Sequence, residues 1–109
     1  MRDYIHVMDL ARGHIAALDY LEKSRRSLIV NLGTGRGYSV LEVVKAFERA
    51  SGRKVSLEIA PRRPGDTATV YADASLAQAR LGWKAKLGLD TMCADAWRWQ
   101  SANPDGYPD

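Results

Sequence analysis

"NLGTGRGYSVLEVV", residues 31 to 44, reads as a strand, a glycine loop and the start of a helix, and it poses a choice between a nucleotide-phosphate cradle and a plain strand-to-helix turn. Spacing argues against both common phosphate loops. A dinucleotide fingerprint sets glycines at i, i+2 and i+5, whereas Gly33, Gly35 and Gly37 fall at i, i+2 and i+4, and Tyr38 takes the sixth place. A P-loop closes on Gly-Lys followed by Ser or Thr, and the first lysine after these glycines is Lys45. Ser39 and Glu42 have the spacing of a capping box, in which each side chain satisfies an orphan N–H at a helix start. Glycines just before the cap let the backbone turn through positive φ without a Cβ clash. The structural turn is preferred, with a helix starting at about Ser39.

Outward from this stretch, the pattern predicts an α/β chain. Tyr4 to Val7 is β-rich, and Asp9 is placed to cap a helix running to about Glu22, with Leu10, His14, Ala17, Leu18 and Leu21 on one face. Leu28 to Leu32 reads as a short buried strand. The helix after the glycines carries Val40, Val43, Val44 and Phe47 at helical spacing and stops at Gly52. Val55, Leu57 and Ile59 alternate with polar residues as a third strand would. Asp73 or Ser75 can cap a short helix through Leu81, closed by Gly82, with Trp83 packing the turn. A last helix from about Leu89 to Ala102 sets Met92, Cys93, Ala96, Trp97 and Gln100 along one side, and "NPDGYPD" is turn material. Two or three short strands make a thin sheet, marginal by itself, which suggests that something larger completes it.

Composition excludes several classes. The chain of 109 residues suits one fold unit, with 46% hydrophobic and 27% charged residues and no low-complexity tract. It has no run of ~18 apolar residues, and "MRDYIHVMDL" lacks the apolar stretch of a secretory signal, so the expected location is cytoplasmic. The single cysteine, Cys93, has no disulfide partner and sits on a helical face that favours burial. His6 and His14 lack companions at metal-ligand spacing. A net charge of +3 and a pI of about 9.2 leave open a small nucleic-acid-binding module using Arg62, Arg63 and the turn "KSRR" at 23 to 26, but do not argue for it. "KSRR" reads as solvated charge. "PRRPGD" at 61 to 66 differs, because two arginines lie between prolines in a short stiff loop, an arrangement suited to a fixed anion.

"RDYIHVMDLARGHIAAL" resembles a segment of the extended short-chain dehydrogenase/reductase family of nucleotide-sugar epimerases, dehydratases and reductases. "NLGTGRGYSVLEVV", "APRRPGD", "ADASLAQARLGW" and "WRWQSANPDGYPD" follow in the order and spacing of that family's C-terminal part. The arginine loop and the Trp-rich end look most like its UDP-hexose 4-epimerases. The resemblance implies that residues 1–109 are a C-terminal UDP-sugar-binding region, a fragment of a longer enzyme, in which a small sheet and about four helices remain and the Rossmann NAD-binding core is largely missing. The family binds NAD through an N-terminal glycine loop and works with a Ser or Thr and a Tyr-x-x-x-Lys pair. No tyrosine here has a lysine four residues downstream, so the expectation is no catalytic residue in this chain and no activity from it alone.

The resemblance further implies a site. Arg2 and Arg63 match the positions that hold the diphosphate, Asp66 the carboxylate that accepts from the ribose hydroxyls, and Tyr4 an aromatic lining the nucleotide; Arg62 is a neighbour. Read as bare residues, Arg2 and Arg62 are equally ordinary solvated charges and Asp66 a turn residue after Gly65. Val70 matches a specificity position where many bacterial members carry tyrosine. A small residue there implies room for N-acetylated UDP-hexoses, unless Tyr71 swings into the pocket instead. The implied chemistry is oxidation of the sugar at C4 by NAD, rotation of the 4-keto sugar and return of the hydride to the other face. The implied partner is a UDP-sugar, with a homodimer for the intact enzyme and self-association for a fragment whose apolar surface is uncovered.

Overall fold

The computed structural model describes residues 1–108. Its helices are α1 (Val7–Ser24), α2 (Val40–Ser51), α3 (Ser75–Leu81) and α4 (Leu89–Ala102). α2 lies against α4, and α1 against α3.

The second helix forms as its sequence dictates. Ser39 Oγ accepts from Glu42 N at 3.1 Å, Glu42 Oε2 accepts from Ser39 N at 2.7 Å, and Gly52 closes the helix at φ 67°. Its inner face buries Ala46 completely and sets Phe47 edge-on to Trp97 of α4, with ring centroids 6.0 Å apart. α4 contributes Cys93, buried as expected, and spans the predicted residues. α3 ends at Gly82 as expected, with Trp83 buried behind it, but Ala74 is its N-cap and neither Asp73 nor Ser75 caps it; Asp73 Oδ1 instead accepts from Ser75 N at 3.0 Å.

α1 departs from the reading in two ways. It starts at Val7, and its cap is His6, whose Nδ1 accepts from Met8 N at 3.0 Å. Because Nδ1 accepts, the ring proton sits on Nε2 and is donated to Asp95 of α4 at 2.7 Å. Asp9 is not a cap but a buried tether, 1% exposed, whose Oδ2 accepts from Lys86 N and Leu87 N at 3.0 and 2.9 Å while its carbonyl accepts from Trp83 Nε1. The buried face therefore runs through Asp9 and Gly13, and Leu18 and Leu21, expected inside, are exposed. Gly13 is required there: a Cβ would come within 2.7 Å of Leu32 Cδ1 and 3.3 Å of Trp83 Nε1.

The expected sheet does not form among the described residues. Pairing is confined to two isolated bridges at Arg2, antiparallel to Tyr38 and parallel to Val70. Segments 28–32 and 55–59 have strand-like sequences but no ladder partner among the described residues, and Ile29 and Ile59 are 92% and 101% exposed. Alternation selects a strand only if another strand is there to receive its backbone groups. The same deficit appears globally. A folded monomer of 12.1 kDa exposes roughly 6,000 Å², whereas this chain exposes 8578 Å². Its radius of gyration is 16.8 Å, against roughly 13 Å for a compact domain of this length. No helix is long and apolar enough to cross a membrane.

Candidate functional site

Arg2 is fixed by its backbone before its side chain does anything. Its N–H donates to Tyr38 O at 2.9 Å, Tyr38 N donates back at 2.7 Å, and Val70 N donates to Met1 O at 3.0 Å. The guanidinium leaves this junction toward residues 66–67, with Nη1 donating to Thr67 O at 2.8 Å and Nη2 lying 3.9 Å from Asp66 Oδ1. From the other side, Arg63 Nε donates to Asp66 Oδ2 at 3.1 Å across the turn that Gly65 makes at φ 83°. Three of the five expected site residues thus meet around Asp66.

The charge balance of this cluster suits an anion. Arg2 and Arg63 set two guanidiniums against the single carboxylate of Asp66. The side chains of Arg2 and Arg63 are 42% and 83% exposed, so their pairing with Asp66 is solvent-screened and costs little to rearrange. Val70 joins the cluster through its bridge to Arg2 and, with Arg2, Asn31 and Tyr71, lines a cleft of about 430 Å³. Tyr71 is exposed. Tyr4 is placed elsewhere, in a larger apolar cleft with Phe47, Met92 and Trp99.

The sequence reading passed over Asp3, which has the densest set of contacts nearby. Its carboxylate accepts from Thr34 Oγ1 at 2.6 Å, Thr34 N at 3.0 Å, Gly35 N at 3.0 Å and Ala72 N at 3.1 Å. Burial acts to raise the Asp3 carboxyl, but the hydrogen bonds from Thr34, Ala72 and Gly35 together outweigh it and hold the pKa below the ordinary value. The glycine loop does grip an anion, then, and the anion is the protein's own. Its Thr34 and Gly35 amides are occupied by Asp3, so these residues do not fit a cofactor pyrophosphate. The signal that could have found Asp3 is a Thr-Gly loop whose amides needed an acceptor.

Two further groups are structural. The hydrogen bond from His6, aided by Arg98, holds the Asp95 carboxyl low and ties α4 to the start of α1. Burial first, then the nearby Asp90 carboxylate, push the Cys93 thiol up, which disfavours the thiolate.

Known proteins carry the same pattern. Residues 1–96 match a family model described as GDP-mannose 4,6 dehydratase. The UDP-glucose 4-epimerase of Drosophila melanogaster is 60% identical over 109 residues, covering 98% of this chain and 31% of that protein. A crystal structure of UDP-glucose 4-epimerase from Stenotrophomonas maltophila, with bound NAD and formylated UDP-arabinopyranose, is 55% identical and superimposes with a TM-score of 0.88 over 92% of this chain and 30% of that one. The enzyme from Bifidobacterium longum in complex with NAD+ and UDP gives a TM-score of 0.87 at 52% identity, over 96% and 31% of the two chains. This chain therefore spans about a third of the length of the relatives it matches. With nearly nine-tenths of its residues inside the family model, the chain belongs to the GDP-mannose 4,6 dehydratase family of extended short-chain dehydrogenase/reductase proteins.

Proposed function

We propose that this chain is the UDP-sugar-binding, C-terminal portion of an NAD-dependent UDP-glucose 4-epimerase, which interconverts UDP-glucose and UDP-galactose through a 4-keto intermediate. The observation that carries the reading is the convergence of Arg2 and Arg63 on Asp66 beside the Val70 cleft. A diphosphate needs delocalised positive charge at fixed geometry, and paired guanidiniums present it with parallel donors. On binding, the phosphate oxygens take Arg2 and Arg63, and Asp66 is freed to accept from the ribose hydroxyls. Val70 leaves the sugar end of the cleft open, so N-acetylated UDP-hexoses are accepted as well.

The remainder of the activity resides outside these residues. NAD supplies the hydride chemistry in the intact enzyme and is held by the portion not contained here, since the glycine loop at 33–37 is filled by Asp3. The unpaired segments 28–32 and 55–59 and the surplus exposed area support this division, because they present the backbone and apolar surface that a neighbouring sheet would cover. The chain alone is accordingly inactive as an epimerase.

Calorimetric titration of the chain with UDP and with duplex DNA, each at low and high salt, tests the reading. Saturable UDP binding without epimerisation of UDP-galactose is the expected result. Binding of DNA that weakens steeply with salt, with no heat from UDP, would assign the arginines to nucleic acid instead.

A further inference from the structure

The glycine loop and Asp3 have no part in the proposed chemistry, yet together they form the best-connected polar cluster near Arg2. Four donors from two separate segments converge on one carboxylate: the amide and hydroxyl of Thr34 and the amide of Gly35 from the loop, and the amide of Ala72 from beyond the arginine turn. Asp3 is adjacent in sequence to Arg2, and Ala72 is two residues from Val70. The carboxylate is therefore the shared fastening of the segment that carries the diphosphate arginine and the segment that carries the sugar-facing position.

The backbone around it is shaped for this fastening. A Cβ on Gly33 would stand 2.6 Å from both Asp3 Oδ2 and Ala72 Cβ, so glycine is the residue that lets the carboxylate and residue 72 close on the loop. Without Asp3, Arg2 keeps its bridge to Tyr38, and Val70 N keeps its bond to Met1 O, but among the described residues no other hydrogen bond ties the loop to residue 72. Those two bridges are single and isolated, and single bridges do not fix the relative orientation of two segments as a ladder does.

We propose that Asp3 is a positioning residue of the UDP-sugar site, setting the Arg2 guanidinium and the Val70 wall at the separation that the diphosphate and the sugar require. The proposal rests on the reading of this chain as a UDP-sugar-binding portion. Asp3→Asn is the informative change: an amide of the same shape turns its NH₂ toward amide donors and gives up the charge-assisted bonds.

The test joins two measurements on the 109-residue chain. Nitrogen-15 NMR of the ligand-free protein follows the Arg2 Nε–H and Val70 amide signals, and calorimetry follows UDP affinity. Ala46→Gly, on the buried face of α2 that packs on α4, serves as a destabilised control outside the clefts around Asp3. In Asp3→Asn both signals are expected to move and UDP affinity to fall by about tenfold; Ala46→Gly leaves both signals and the affinity in place. Thr34→Ser, which keeps the hydroxyl, is expected to retain the affinity, and Thr34→Val to lose part of it. Unmoved Arg2 and Val70 signals in Asp3→Asn, or a loss of affinity no greater than in Ala46→Gly, would overturn the positioning role even if wild type binds UDP. If wild type binds no UDP, the reading of the site fails separately, and the NMR comparison still decides whether Asp3 sets the two segments.

Discussion

Residues 33–38 and 61–66 are both short glycine-containing loops that look ready for an anion, and they differ in what they hold. The first offers the amides of Thr34 and Gly35 and the Thr34 hydroxyl, which converge on the internal carboxylate of Asp3. The second draws its donors from guanidiniums, which are mostly exposed and share a single half-exposed carboxylate. Backbone donors are fixed and expensive to leave unsatisfied, so the fold fills them from within. Solvated guanidiniums cost little to leave in water, so they remain free for a ligand. A glycine loop is thus evidence for an anion but not for a foreign one.

The sharpest way to break this contrast is Gly33→Ala. The added Cβ would lie 2.6 Å from Asp3 Oδ2 and from Ala72 Cβ; the first is held by the amides of Thr34, Gly35 and Ala72, and the second has no rotamer to move to. Overpacking of this kind costs about 3 kcal/mol when contacts cannot relax. Urea unfolding should show a loss of that order, and a midpoint within error of wild type would mean that the loop is not closed on Asp3.

Arg63→Ala probes the other loop and should separate binding from stability. Its side chain is 83% exposed, so its removal should alter unfolding by no more than about 0.5 kcal/mol. UDP affinity should nonetheless fall by about tenfold or more, the worth of one charge-assisted phosphate contact. Comparable losses in stability and affinity would make the second loop a structural element like the first.

The difference between the loops also marks what the sequence could reveal. The start and stop of α2 were legible because the capping box and Gly52 act within a few residues of chain, and α4 and the end of α3 followed from equally local signals. The start of α1 was not, because His6 caps it while Asp9 is spent on amides at residues 86 and 87, far away in sequence. Strands at 28–32 and 55–59 were misjudged for a related reason: alternation reports a preference, and the partner that would realise it is not among the described residues. The meeting of Arg2, Arg63 and Asp66 came from family resemblance, since no periodicity joins position 2 to position 66. Asp3 stayed hidden because its donors lie at positions 34, 35 and 72.

A smaller effect sharpens the geometry of the arginine loop. Gly65 adopts φ 83° with open space where a Cβ would stand, so Gly65→Ala strains the backbone without a clash. The cost should be about 1 kcal/mol, and it should appear chiefly as weaker UDP binding, because the strain is relieved by opening the turn that aims Arg63 at Asp66. Val70→Tyr acts on the neighbouring wall. In the full-length enzyme it should reduce turnover of UDP-N-acetylglucosamine relative to UDP-glucose, and an unchanged ratio would show that Val70 does not face the sugar.

The mildest test uses pH, and its sign follows from the direction of the Asp3 shift. Hydrogen bonds hold the folded carboxyl below its ordinary value despite burial, whereas in the unfolded chain it titrates near 3.9. Ionised Asp3 therefore contributes stability that is fully present above the unfolded pKa and is lost as pH falls through the folded one. Asp95 and Glu42 are held low as well, the first by His6 and the second by the Ser39 cap, so acid weakens the chain even without Asp3. What distinguishes Asp3 is a difference in slope: between about pH 5 and pH 2, the urea midpoint of wild type should fall further than that of Asp3→Asn. Parallel curves would mean that the glycine loop does not depend on an ionised acceptor, and its amides would then have to be counted again as open to a ligand.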